Sequence, residues 1–328
     1  WTRLGYSLQQ AQQLAKETVI YQNVGDISSA EEASTDLIAA IKGFGIEVDN
    51  QGKNIQHLVD VYNEVGNKFA ISSAGIGEAA KRSASALSEA GNTMEQSIAL
   101  IAAANASIQD PERVGNALKT LSLRLRGISE DGEEVANLVP TLEEKFNSIG
   151  LSLKNDNNSF KSTYEIFQEL AGVWNKLSDF QKSDILELIA GKEQANVAAS
   201  LIENWKDAEG ALQAGLDSFG SAARENEKYL DSLQGHIAKF RNAINDFWSS
   251  NITSDALKDI VDIGTSAISV LKILTDTFGG LNIVVFAATA SFLKFTNAGN
   301  SLFKSLTMIV PGAIKLSNEI DVLKNKIN

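Results

Sequence analysis

Ser162-Thr-Tyr-Glu165-Ile-Phe-Gln-Glu-Leu-Ala-Gly-Val-Trp174-Asn-Lys-Leu177-Ser178-Asp-Phe-Gln181 decides the fold class. Ser162 precedes Glu165 as Ser178 precedes Gln181. In that spacing the hydroxyl accepts a first-turn N–H while the longer polar side chain reaches back to the cap, so each pair marks a helix start. Between the two starts Tyr164, Phe167, Leu170, Ala171, Trp174 and Leu177 fall on one helical stripe. The next segment does the same with Ile185, Leu188, Ile189, Ala195, Ala198, Leu201, Ile202 and Trp205. Aromatics at such spacing read as helix–helix core rather than as a cofactor box.

The pattern extends outward. Ser28-Ser29-Ala-Glu31-Glu32 offers two overlapping capping boxes, and Asp110-Pro111-Glu112 places a capping Asp before a first-turn Pro. The chain has only three prolines, Pro111, Pro140 and Pro311, which leaves long stretches with nothing to break a helix. The expected fold is all-α: helical bundle subdomains with Gly-punctuated short helices, followed by apolar helices. Any β structure is expected as short pieces near residues 45–48 and 150–153. Over residues 66–127 short helices are expected to alternate with breaks at Gly75, Gly77, Gly91 and Gly115. The runs Ser83-Ala-Ser-Ala86 and Ala102-Ala-Ala-Asn-Ala106 allow close helix approach.

The chain also echoes itself. Gly45-Ile-Glu-Val48 and the polar turn Asp49-Asn-Gln-Gly52 lead into Asp60-Val-Tyr-Asn-Glu-Val-Gly66. Gly150-Leu-Ser-Leu153 and Lys154-Asn-Asp-Asn-Asn158 lead likewise into Glu165-Ile-Phe-Gln-Glu-Leu-Ala171. Aligned without gaps, Tyr62 meets Phe167 and Glu64 meets Glu169. Duplication accounts for this, with coincidence the alternative. The expected organisation is a helical core subdomain over 1–150, a second over 151–250 repeating part of the first, and a hydrophobic, membrane-active helical segment over 251–328.

Charge follows the same division. The net charge of −12 is distributed as −8 over residues 1–150, −5 over 151–250 and +1 over 251–328. An acidic body argues against binding nucleic acid through phosphate neutralisation. From 277 to 314 the only charged residues are Lys294 and Lys304. The uncharged run 277–293 is at the short end of the roughly 17–25 residues a spanning helix needs. A buried hairpin in a soluble assembly and a latent membrane segment both fit. Asn282, Thr289, Ser291, Asn297 and Asn300 would give it a polar stripe.

Catalytic and metal constellations are not legible. With no cysteine and only His57 and His236, thiolate sites, disulfides and histidine-based triads have almost nothing to draw on. Gly75-Ile-Gly77-Glu-Ala-Ala-Lys81 lacks the second Gly before Lys and a preceding strand, and reads as a helix start rather than a phosphate loop. Glu133/Glu134 and Glu143/Glu144 are neighbours in sequence and read as solvated helix faces. The expectation is no enzyme, no catalytic, cofactor-binding or metal residues, and no cofactor. The chain opens at Trp1 and ends at Asn328 within an apparent helix, and reads as a segment of a longer protein.

Arg113-Val-Gly-Asn-Ala-Leu-Lys-Thr-Leu-Ser-Leu-Arg-Leu-Arg-Gly127 resembles a signature of the tail tape-measure proteins of long-tailed bacteriophages and prophages. So does Ile166-Phe-Gln-Glu-Leu-Ala-Gly-Val-Trp-Asn-Lys-Leu177, followed by Asp184-Ile-Leu-Glu-Leu-Ile-Ala-Gly-Lys-Glu-Gln-Ala-Asn196. The resemblance covers roughly residues 1–250. It implies a helical, non-enzymatic length ruler and scaffold for tail-tube assembly, held in the tube lumen and released at infection to help genome passage. The partners it implies are tail-tube and tail-tip proteins, tail assembly chaperones, further copies of the chain and, after release, the host membrane. It implies no specific nucleic-acid binding. The competing class is an α-helical membrane-active protein, such as a pore-forming toxin or secretion translocator.

Overall fold

The computed structural model describes residues 1–129, 136–156 and 159–231. The chain divides into two units, Trp1–Lys228 and Tyr229–Asn328. The apolar stretch 277–314, His236 and Glu133/Glu134 lie outside the described residues.

Among the described residues the elements are helical: α1 (Leu8–Val24), α2 (Ala30–Gly43), α3 (Lys53–Lys68), α4 (Ser73–Glu89), α5 (Met94–Ile108), α6 (Pro111–Arg124), α7 (Leu138–Ser148), α8 (Thr163–Trp174), α9 (Asp179–Glu203), α10 (Trp205–Leu216) and α11 (Ser221–Asp231). Their starts follow the capping signals. Ser162/Glu165 and Ser178/Gln181 form complete reciprocal boxes at α8 and α9. Asp110 accepts the Arg113 N–H at 3.1 Å ahead of Pro111. The overlapping pair at α2 resolves to one cap: Ser29 accepts the Glu32 N–H, while the Ser28 hydroxyl donates to the Glu32 carboxylate at 2.7 Å. Each such cap contributes about 1 kcal/mol. Two further boxes, Ser7/Gln10 on α1 and Thr93/Gln96 on α5, went unread in the sequence.

At the centre lies α5, surrounded by α4, α6, α9 and α10. Every residue from Ser97 to Asn105 is buried, which an ordinary amphipathic stripe does not produce and a fully enclosed helix does. Its alanines let neighbours close in, as the Ala102–Ala106 run predicts. The expected breaks at Gly75, Gly77 and Gly115 are corrected: Gly75 and Gly77 sit within α4 and Gly115 within α6, and of the four only Gly91 ends a helix. A Gly inside a helix costs about 0.5–1 kcal/mol relative to Ala. What offsets that here is proximity. A β-carbon on Gly115 would lie 2.5 Å from the Ala79 carbonyl oxygen, and one on Gly43 2.6 Å from the Ala84 β-carbon. These residues set the approach of α6 and α2 to α4.

The hydrophobic core runs without interruption from Leu14 to Ala222. Tyr21 meets Tyr62 edge-on with ring centroids 5.6 Å apart, and Tyr164 packs on Trp205 at 4.9 Å. Trp174 and Trp205 are both buried, as their stripes predict.

The two echoing segments have the same local geometry. Both α2 and α7 end with a left-handed glycine, Gly45 (φ 64°) and Gly150 (φ 80°). The following residue then bonds back into the helix: the Ile46 N–H donates to the Ile41 carbonyl at 2.9 Å, and Leu151 to Phe146 at 2.8 Å. This is the paired closure that satisfies orphan carbonyls at a helix end. Val48 and Leu153, both buried, then anchor an extended link into α3 and α8. Of the short β pieces allowed for here, little forms. Residues 45–48 form no strand, because side chains take the ladder positions: Gln10 Nε2 donates to the Val48 carbonyl at 2.6 Å and Asn54 Nδ2 to the Glu47 carbonyl at 2.9 Å. Beyond 150–153 the pairing shrinks to one isolated bridge, Lys154 with Phe160.

Candidate functional site

The groups that carry chemistry in other proteins serve as braces here. His57 on α3 approaches Glu95 on α5, with Nε2 2.8 Å from Oε1. That bond is the main cause that raises the His57 pKa and holds Glu95 down at about 2. The Gly75–Lys81 segment forms the first turns of α4 behind the cap Ser72, as its helix-start reading predicts. The space a phosphate would need over it is filled: a β-carbon on Gly77 would lie 2.1 Å from the Tyr21 hydroxyl. Lys81 instead faces Asp36, Nζ to Oδ1 3.5 Å. Burial outweighs that attraction and pushes Asp36 up to about 6. Of the α7 pair, Glu143 bonds Lys154 at 3.1 Å while Glu144 faces solvent. No group of three or more His, Cys, Asp or Glu able to hold a metal occurs among the described residues.

What the structure brings together is the set of signature blocks, 113–127, 166–177 and 184–196. Two arginines of the first block reach the third, and a further one ties residues just outside the blocks. Arg113 Nη2 donates to Asn196 Oδ1 at 2.9 Å, and Arg124 Nε donates to the Leu188 carbonyl at 3.1 Å. Arg126 Nη2 donates to two carbonyls, Ala90 at 2.7 Å and Lys161 at 2.9 Å. Ser122 and Thr163 hydroxyls meet at 3.2 Å.

The reason Arg124 finds a carbonyl to cap is a break in its partner helix. Gly191 interrupts α9 with φ 64° and ψ −180°, a region essentially open to glycine alone. The turn before it therefore exposes carbonyls that an unbroken helix would use internally. Arg124 takes them, with its guanidinium 3.9 Å from where a Gly191 β-carbon would stand. In the sequence Gly191 is unremarkable, because the apolar stripe continues through it: Ile185, Ile189, Ala198, Leu201 and Ile202 are all buried.

Beside this junction lies a cleft of about 320 Å³ lined by Ala86, Glu89, Gly91, Ser122, Arg126 and Phe160, among others. The Arg126 guanidinium carbon is 5.5 Å from the Phe160 ring centroid, and burial lowers its pKa. Its Nη2 is committed to backbone carbonyls, while its Nη1 is buried without a partner.

One polar contact between distant helices is not legible in the sequence. Asp60, Asn63 and Glu64 on α3 receive the first turn of α11, about 160 residues away. The only local signal was polarity at three positions where the second copy of the echo is also polar, which cannot reveal burial.

A family model described as phage-related minor tail protein matches residues 1–191. No solved structure matches the chain. The matched span includes the first signature block, α8 and the first half of α9 as far as Gly191.

Proposed function

The chain belongs to the phage-related minor tail protein family, and we propose that within the tail it is the length ruler and scaffold around which the tube assembles. A structural tail role follows from the family. The observation that carries the finer reading is the junction of the signature blocks: in residues that resemble the tape-measure proteins, Arg113 and Arg124 of the first block tie it to the third through Asn196 and the Leu188 carbonyl. This supports a scaffold that presents helical surface, and the family match favours the tail reading over a pore-forming or translocator protein. Tail-tube and tail-tip proteins, assembly chaperones and further copies of the chain are its proposed partners.

The test is tail length. In the phage that carries the gene, an in-frame deletion of residues 251–328 should shorten tails by roughly 1.5 Å per residue removed if that stretch is read as helix. Electron micrographs showing unchanged length would overturn the ruler.

Release at infection and passage through the host membrane are the further part of the proposal. They rest on the low charge of 277–314. Among the described residues no helix is long and apolar enough to cross a membrane. The full chain should bind or permeabilise liposomes, and a version ending at Ser250 should not. Equal behaviour of the two would remove the membrane step while leaving the ruler standing.

A further inference from the structure

We propose that the first turn of α11 is a latch, held by the Asp60 carboxylate of α3, which opens without unfolding the helices beneath it. The proposal does not depend on the tail assignment. The residue before α11 is Gly220 (φ 73°), which has no side chain to cap the helix. Asp60 supplies the missing cap from a distant part of the chain. Its Oδ2 accepts the Gly220 N–H at 2.8 Å and its Oδ1 the Ala222 N–H at 2.9 Å. Asn63 Nδ2 donates to the Ser221 hydroxyl at 2.9 Å, and that hydroxyl donates to Glu64. Four polar bonds from one face of α3 thus converge on three consecutive residues.

Apolar packing contributes little to the same contact. The buried residues of α11 are its first two, Ser221 and Ala222. Just ahead of the pivot, Leu216 and Phe219 are 58% and 83% exposed, so they do not anchor the loop by burial. Further along, Asn23 Nδ2 on α1 donates to Asn226 Oδ1 at 2.8 Å, a second directional tie. Helices α3, α5 and α10, by contrast, pack through fully buried apolar side chains.

The docked position pairs the Asp60 carboxylate and the Asn63 amide nitrogen but leaves Asn63 Oδ1 buried without a partner, which weakens docking relative to the open position. Docked, the Asp60 carboxylate is fully buried and pairs with two N–H groups, and burial is the largest influence on it. Undocked, the carboxylate and the N–H groups return to water, so no buried donor or acceptor is stranded. The chain therefore exchanges hydrogen bonds between protein and solvent while the core keeps its apolar area. That is what permits two populated arrangements of one element on an unchanged body. Gly220 is the pivot, and fully buried Ser218 marks where the fixed part ends.

The chain has no cysteine, so single introduced thiols report opening cleanly. Ala222 is 1% exposed on α11, and Ala103 is fully buried on α5. In the full chain carrying Ala222→Cys, a soluble maleimide should label the thiol at least tenfold faster than in Ala103→Cys. Adding Asp60→Ala should raise the rate at position 222 at least tenfold again and leave position 103 unchanged. Equal labelling of both positions, or equal acceleration of both by Asp60→Ala, would show that α11 opens only with the whole fold and would overturn the latch. Should the substitution at position 222 disturb folding, hydrogen exchange in the chain with Asn63→Ala decides. Faster exchange confined to residues 220–224 supports the latch, and parallel loss of protection across 98–104 overturns it.

Discussion

Residues 44–68 and 149–174 are built alike and finished differently. Each starts from a left-handed glycine closing a helix, crosses an extended link pinned by one buried aliphatic, and enters a helix whose apolar positions coincide. Val61, Tyr62 and Val65 are buried on α3, as are Ile166, Phe167 and Leu170 on α8. The polar positions part company. Asp60 and Asn63 are buried beneath α11, whereas their counterparts Glu165 and Gln168, each one methylene longer, face solvent. Glu165 turns back to its own helix start and accepts the Ser162 N–H at 2.7 Å. Apolar periodicity fixes how a helix sits in this body. A single change of side-chain length accompanies the difference between a face that receives another helix and one that does not.

The largest effect that bears on this comparison is loss of the shared aromatic. Tyr62→Ala and Phe167→Ala should each cost about 3–5 kcal/mol in chemical denaturation. If one of the two proves nearly silent, the two helices do not play equivalent parts. Next come the closing glycines. Gly45→Ala and Gly150→Ala force a β-carbon into the left-handed region at about 1–2 kcal/mol each, and thermal melts should show similar losses. Gly191→Ala belongs to the same range or above it, about 1–3 kcal/mol, since Arg124 depends on the break that it makes. A melt unchanged by Gly191→Ala would mean that α9 tolerates an unbroken path.

A smaller change should convert one face into the other. Asp60→Glu with Asn63→Gln gives α3 the polar pair of α8, and exchange at residues 220–224 should rise while the melting temperature falls less than for Tyr62→Ala. Retained protection of α11 would break the link between side-chain length and docking.

The smallest effect concerns pH. Because the His57 pKa is raised chiefly by its bond to Glu95, the stabilisation it contributes is complete below about 6.5 and fades as pH rises through the raised value. Because Glu95 is held at about 2, its share is complete above about 4.5 and is lost as pH falls towards 2. The difference in melting temperature between the parent and His57→Gln should therefore peak between about pH 4.5 and 6.5. A flat difference across pH 3–9 would remove the pair from the account of how α3 is held to α5.

Much of the fold was legible because its signals are local. The boxes at Ser162 and Ser178, the cap at Asp110 and the stripes ending at Trp174 and Trp205 each depend on residues within one or two turns. The internal glycines were misread because the same residue breaks a helix when its backbone turns left-handed, as at Gly91, and admits a neighbour when it does not, as at Gly115. Position in the packed molecule separates the two cases. The candidate site was legible only as three blocks of sequence. That Arg113 would meet Asn196, and that Arg124 would cap a turn exposed by Gly191, depends on contacts between residues more than sixty apart.

By itself the sequence determined that the described residues are mostly helical, where several of the helices start, which stripes are buried, and that two segments share a pattern, because hydrogen bonding within a turn and apolar periodicity are properties of neighbouring residues. Only the tertiary structure decided that α5 is enclosed on all sides, that Arg124 and Arg126 tie backbone carbonyls, and that Asp60 caps a helix it meets across 160 residues. Those outcomes turn on which polar groups lose water when helices meet, and desolvation is set by the neighbours that packing supplies, which no local pattern encodes.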